Sequence, residues 1–131
     1  MFIINAADPA PIWKQIEEGM RRLIALGALK AGAPVPSVRD LARDLRVNPN
    51  TVARAYQRLT EGGVLAVRRG EGTFVADQPA QPRKSEKLDM LRDAATRFVS
   101  AAVAAGADLT EAIEAVEAAH QKLVRHERKR A

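Results

Sequence analysis

Cysteine is absent from the 131 residues, which excludes disulfide scaffolds, thiolate metal sites and a cysteine nucleophile. Histidine occurs only at 120 and 126. Catalysis needs a nucleophile beside a base, or paired carboxylates in a cleft, and no such pairing is visible, so the chain does not read as an enzyme and calls for no cofactor. No apolar run approaches the roughly 18 residues of a membrane span. The N-terminal apolar stretch, Met1 to Ile4, lacks a basic flank and is too short for a signal peptide. The expectation is therefore a cytoplasmic protein with no membrane partner. Aromatic residues make up only 4%, which leaves no evident stacking platform for single-stranded RNA. Acids are outnumbered too: 16 Asp and Glu face 21 Lys and Arg, a net charge of +5. That excess points to a polyanionic partner, nucleic acid first.

What is present is an ordinary globular balance, 47% apolar and 28% charged. Asp8 reads as a helix N-cap with Pro9 at the first helical position. Ile12, Ile16, Met20 and Leu23 then form one apolar face, and Gly27 ends the helix. Phe2 to Ile4 reads as an extended lead-in beside it, and Lys30 to Pro36 as a proline-fixed loop. A second helix starts at Ser37, with Asp40 close to a capping-box position. Its apolar side is Val38, Leu41, Ala42 and Leu45, and Arg39, Arg43 and Arg46 share the opposite side. After a tight turn at Arg46 and Val47, Asn48 caps a third helix with Pro49 at its first position. Val52, Ala55, Tyr56 and Leu59 form its inward stripe; Asn50, Arg54, Gln57 and Arg58 point away, and Thr51 lies at the margin. Gly62 and Gly63 end it. Val64 to Val67 and Thr73 to Ala76 are short β-type runs, with Arg68 to Gly72 as the hairpin tip.

Asp77 to Lys84 contains two prolines and reads as a semi-extended linker spanning about 25 Å at ~3.1 Å per residue. Beyond it Ser85 is the expected cap of a long helix whose face is Leu88, Leu91, Ala95, Phe98 and Ala102. Gly106 stops that helix, and Asp108 with Glu111 forms a second capping box. The last helix places Leu109, Ile113, Val116, His120 and Leu123 on a heptad-like seam, ahead of a basic tail, Arg125 to Arg130, expected to fray. This segment is too small to bury a core alone, so its seams need a partner. The simplest is a second copy, with interface residues Leu88, Leu91, Phe98, Leu109, Ile113, Val116, His120 and Leu123; folding back onto the first domain is the alternative. His120 fits an interface better than a metal site, and Glu111, Glu114 and Glu117 read as a solvated face, so no metal is expected.

The fold class is mainly α with a small β-hairpin wing (α+β): a winged helix-turn-helix domain, then a two-helix dimerisation hairpin. The expected divisions are 1–77 for the winged domain, 78–84 for the linker, and 85–131 for the dimerisation domain with its basic tail. A helix N-terminus suits base edges in a major groove, and a wing suits the adjoining minor groove. Between Pro36 and Gly70 seven arginines (39, 43, 46, 54, 58, 68, 69) meet three acids, a net +4, and the remaining residues share +1. The candidate DNA contacts are Ser37, Arg39, Arg43, Arg46, Asn48, Asn50, Thr51, Arg54, Arg58, Arg68, Arg69 and Gly70. Bland readings stand beside these: Asp40 and Asp44 can pair with Arg43 and Arg46, Arg58 can pair with Glu61, and Tyr56 and Trp13 read as core. A basic face docking an acidic protein is the other class of function, disfavoured because that face shows no exposed aromatic or methionine.

The stretches G-A-L-K-A-G-A-P-V-P-S-V-R-D-L-A (Gly27 to Ala42), V-N-P-N-T-V-A-R-A-Y-Q-R-L (Val47 to Leu59) and R-G-E-G-T-F-V (Arg69 to Val75) strongly resemble the GntR family of bacterial transcription regulators. The V-N-P-N-T-V-A-R-A-Y form and the short tail resemble its YtrA subfamily. The resemblance implies a homodimeric DNA-binding repressor of an inverted-repeat, palindromic operator. It implies a DNA contact for Arg39, which matches the family's P-S-x-R arginine. Asn48, Asn50 and Thr51 match the start of the recognition helix, and Gly70 the wing-tip glycine. Pro49 and Ala53 stand where many members carry arginine, so those base contacts do not transfer; Arg54 replaces them on facing grounds. The short-tailed group implies control of a neighbouring operon, often one encoding an ATP-binding-cassette transporter. A small-molecule effector, if one acts, belongs between chains or between the hairpin and the DNA-binding domain.

Overall fold

A computed structural model describes residues 4–130, with side chains through His126. The expected lead-in at Phe2 and the side chains of the basic tail beyond His126 lie outside the described residues. The elements are α1 (Ile12–Ala25), α2 (Val38–Leu45), α3 (Pro49–Glu61), β1 (Leu65–Arg68), β2 (Gly72–Val75), α4 (Lys84–Ala104) and α5 (Leu109–Arg130). The chain divides into two compact units, one that holds the residues up to Ala80 and a second one, Gln81–Arg125.

In the first unit α3 is the central element and packs against α1, α2 and β1. Ile16, Met20 and Leu23 of α1 meet Leu41, Val52, Leu59, Val64 and Val75 in a core where each is essentially removed from water. Burying each such side chain contributes about 1.5–3 kcal/mol before conformational costs. The apolar stripes of α1 and α3 are the ones their 3.6-residue periodicity marks.

Helix starts differ from expectation twice. α1 begins at Ile12 with Pro11 as its N-cap, and not after Asp8. Pro11 keeps Ala10 out of the helical region and has no N–H of its own. The Asp8 carboxylate closes a local turn instead, accepting the Ala10 N–H at 2.8 Å. In the same way Ser85 is inside α4, whose first helical bond runs from the Lys87 N–H to the Arg83 carbonyl at 2.9 Å. Pro82 is far enough upstream for helical bonding to start there. The other caps are as read: Ser37 Oγ accepts the Asp40 N–H at 3.1 Å, and Asn48 Oδ1 accepts the Asn50 N–H at 2.8 Å.

β1 and β2 pair antiparallel, from Leu65 opposite Val75 to Arg68 opposite Gly72. Each strand is one residue out of step with its expected span. Arg68 therefore belongs to β1, and the tip is Arg69, Gly70 and Glu71, closed by the Glu71 N–H on the Arg68 carbonyl at 2.9 Å. Gly70 has φ 79° there, a conformation only glycine adopts freely. The outer edge of β2 is covered by the proline loop: the Val35 N–H donates to the Thr73 carbonyl at 3.0 Å, and the Val75 N–H to the Ala33 carbonyl at 2.8 Å. The start of the expected linker is also tied down, by the Ala80 N–H on the Gly63 carbonyl at 3.1 Å. Lys84 is already helical.

In the second unit the Asp108 box is reciprocal. The Glu111 N–H donates to Asp108 Oδ1 at 2.8 Å, and the Asp108 N–H to Glu111 Oε1 at 3.1 Å. α5 runs to Arg130; the fraying expected of the basic tail concerns side chains that lie outside the described residues. Among the described residues α4 and α5 do not pack along their lengths. Leu88, Leu91 and Phe98 of α4 and Leu109, Ile113, Val116 and Leu123 of α5 are all exposed within one chain. Val99 and Val103, which the sequence reading leaves out, widen the α4 stripe on one flank and are exposed as well.

Candidate nucleic-acid interface

Ser37 and Asn48 set the starts of α2 and α3, and so decide which side chains lead each helix. One residue into α2, Arg39 is exposed and has no ion pair among the described residues. Arg43, a turn later, is held by Asp40, its Nη2 donating to Asp40 Oδ1 at 2.6 Å. Arg46 does not continue the α2 arginine face. It is the helix C-cap, left-handed at φ 57° and ψ 48°, and the Val47 N–H behind it closes onto the Ala42 carbonyl at 3.0 Å. This turn reverses the chain between α2 and α3 within three residues.

Asn50 is exposed on the first turn of α3, and Thr51 is half-buried beside it. Arg54 and Arg58, four residues apart, each place the guanidinium 4.6 Å from the centre of the Trp13 ring on α1. Arg58 also donates Nε to Glu17 Oε2 at 3.1 Å, and the Glu17 side chain is only 12% exposed. Glu61, the acid the sequence offers to Arg58, accepts from Gln57 Nε2 at 3.1 Å instead. The Trp13–Glu17 pair is the part of this face that sequence reasoning missed. Its signal was the matching four-residue spacing of Trp13 and Glu17 on α1 and of Arg54 and Arg58 on α3.

In the wing, Arg68 turns back from the tip and lies 4.1 Å above the Phe74 ring, with Asp77 3.8 Å away. Arg69 stays exposed, and the space beside Gly70 is open. Tyr56, buried as expected, donates its hydroxyl to the Pro36 carbonyl at 2.7 Å. Its burial pushes the phenol pKa upward, so it stays a neutral donor. Among the described residues no group of acids and histidines is arranged to hold a metal ion. No helix among them is long and apolar enough to cross a membrane. The eight expected interface residues of α4 and α5, His120 included, belong to the second unit and are exposed there.

Two helices joined by a left-handed turn, the second capped by Asn48 and followed by a glycine-tipped hairpin, define a winged helix-turn-helix DNA-binding module. The model of the bacterial regulatory proteins of the gntR family matches residues 13–75. The chain is 33% identical over 109 residues to the HTH-type transcriptional repressor YtrA of Bacillus subtilis (strain 168), covering 83% of this chain and 84% of that protein. Its structure is similar to a transcriptional antiterminator from Listeria monocytogenes EGD-e, with a TM-score of 0.75 at 31% identity over 95% of this chain and 92% of the other. It is also similar to the AraR DNA-binding domain in complex with operator ORX1, with a TM-score of 0.51 at 25% identity over 57% of this chain and 93% of that domain. The chain belongs to the GntR family, on its YtrA-like side, and is a DNA-binding transcription regulator and not an enzyme.

Proposed function

We propose that the chain acts as a homodimer on an inverted-repeat operator. Each copy places the start of α3 in the major groove of one half-site and its wing along the neighbouring minor groove. The observation that carries this reading is a set of uncompensated cations. Arg39 on α2, Arg46 in the turn, Arg54 on α3 and Arg69 on the wing tip are exposed, with no acidic partner among the described residues. Asn50 and Thr51 supply hydrogen-bonding groups for base edges, and Gly70 lets the wing backbone come close to the sugar-phosphate rail. Ser37 and Asn48 aim the two helices and lie where their side chains also meet phosphates. Arg43 and Arg68 have partners within the protein, so each contacts phosphate only by exchanging one, and Arg58 stays committed to Glu17 and Trp13.

The dimer reading rests on the second unit. Leu91, Leu109 and Ile113 are 57%, 73% and 48% exposed, and a second copy is the simplest cover for both seams. Repression follows where the operator overlaps a promoter, as the name of the YtrA relative suggests. The family resemblance makes a neighbouring transporter operon the candidate target, and the cytosol, where that DNA lies, the place of action. An effector would sit between chains, where it could alter half-site spacing.

The test is selection of bound duplexes from a random pool, with the affinity of the winners measured at two salt concentrations. A palindromic winner bound far above mixed-sequence DNA is the expected result. Salt-sensitive binding without enrichment would sink the sequence-specific reading and favour an acidic protein partner.

A further inference from the structure

Trp13 is the only tryptophan in the chain. It lies on α1, outside the helix-turn-helix and the wing, and yet two α3 arginines converge on it. Each guanidinium carbon is 4.6 Å from the ring centre, within the distance at which an indole face attracts a cation. The two arginines are not equivalent. Arg58 has its Nε committed to Glu17 at 3.1 Å, and that carboxylate, 12% exposed, offsets its charge. Arg54 has no ion pair among the described residues and is exposed. Stacking alone uses no hydrogen bond, because the five N–H donors of a guanidinium lie in its plane and point outward from the rim. A stacked Arg54 therefore keeps every donor available while its rotamers are restricted in advance.

We infer that Trp13 is a positioning residue for DNA contact: its indole, braced by the Glu17–Arg58 pair, holds the Arg54 guanidinium ready on the exposed face of α3. The inference rests on the reading of Arg54 as a DNA contact. The benefit is preorganisation, since a long side chain ordered before association loses less freedom on binding. Trp13 itself need not touch DNA. Arg58 serves as part of the shelf and not as a phosphate ligand.

The experiment is a double-mutant cycle read by DNA affinity and its salt dependence, on the tightest duplex from the selection and on a mixed-sequence duplex. Trp13→Leu removes the π face and keeps an apolar side chain. It is expected to weaken binding about two- to five-fold without changing the salt slope, because Arg54 still releases the same counterions. Arg54→Ala is expected to weaken binding and to flatten the slope by roughly 1. In the Arg54→Ala background, Trp13→Leu then has no further effect, and Trp13→Phe in the wild-type background recovers most of the affinity. A merely structural role would give additive losses in the cycle. Wild-type affinity in Trp13→Leu, or additive losses, would overturn the positioning role while leaving Arg54 as a contact. An Arg54→Ala variant that binds like wild type would overturn the contact and the positioning role together. A measurement on the unmutated protein covers the case in which Trp13→Leu fails to fold. Acrylamide quenching of Trp13 stays the same or falls when duplex binds if Arg54 remains stacked, and a rise would show the arginine leaving the ring.

Discussion

The Tyr56 hydroxyl donates to the Pro36 carbonyl at 2.7 Å, tying the middle of α3 to the residue just before the cap of α2. This bond crosses the helix-turn-helix at its base and is part-buried, with the Tyr56 ring in the core. Tyr56→Phe keeps the ring in the core but leaves the Pro36 carbonyl without its donor. The expected cost is about 1 kcal/mol at neutral pH, seen as a lower denaturation midpoint. A pH signature separates this from a packing change. Burial raises the folded-state phenol pKa above the ordinary 10.0, so the stabilisation is fully present below pH 10 and is lost as pH rises beyond it. The gap between wild type and Tyr56→Phe narrows in that alkaline range. Parallel stability curves through pH 11 or so would remove Tyr56 as the cause.

Arg46 is the one non-glycine residue with positive φ among those described. Left-handed backbone costs an ordinary residue about 1 kcal/mol. Arg46→Gly and Arg46→Ala remove the same guanidinium, but only glycine relieves the backbone. The glycine variant is expected to be the more stable of the two by about 0.5–1 kcal/mol in denaturant unfolding. Both are expected to lose DNA affinity equally if the guanidinium meets a phosphate. A glycine variant that binds like wild type would show that the turn needs no cation there.

Arg39 and Arg43 share a helix but not an environment, and their alanine variants separate base readout from backbone attraction. Arg39→Ala is expected to weaken specific binding by about 1 to 3 kcal/mol if the contact is bidentate to guanine, with little change on mixed-sequence DNA. Arg43 must first leave Asp40, 2.6 Å away. Arg43→Ala is therefore expected to act evenly across sequences and to flatten the salt slope by up to roughly 1. Competition binding on the selected duplex checks both. Equal losses on all duplexes for Arg39→Ala would move it to the phosphate class.

The core helices were legible because burial imposes a period that composition reveals: Ile16, Met20 and Leu23 on α1, and Val52, Ala55, Tyr56 and Leu59 on α3, are the residues the spacing selects. Caps were legible where a side chain closes onto a backbone N–H nearby, as at Ser37, Asn48 and Asp108. They failed at Asp8, where Pro11 decides the start, and at Ser85, where helical bonding already reaches back to the Arg83 carbonyl. The site was legible as a list of arginines, but not as a set of environments. Whether Arg58 pairs with Glu61 on its own helix or with Glu17 on another depends on how α1 crosses α3, and no local pattern encodes that. The strand shift of one residue had the same origin. It moved Arg68 from the tip onto Phe74, a cross-strand relationship set by register.

The seams of α4 and α5 give the sharpest test of assembly. Leu109 and Leu123 lie on the same side of α5, at its first turn and four turns on, and both are exposed in one chain. A charge at either position therefore costs an isolated chain little, whereas in a dimer it would be buried opposite apolar side chains without a partner. Leu109→Asp with Leu123→Asp is expected to give a monomer by sedimentation, with the winged unit still folded by circular dichroism. Because each half-site is then bound separately, affinity for an inverted repeat is expected to fall to that for a single half-site. A variant that still sediments as a dimer would place the interface elsewhere. A monomer that retained full affinity for the repeat would instead mean that one copy suffices, and that the exposed seams serve another partner.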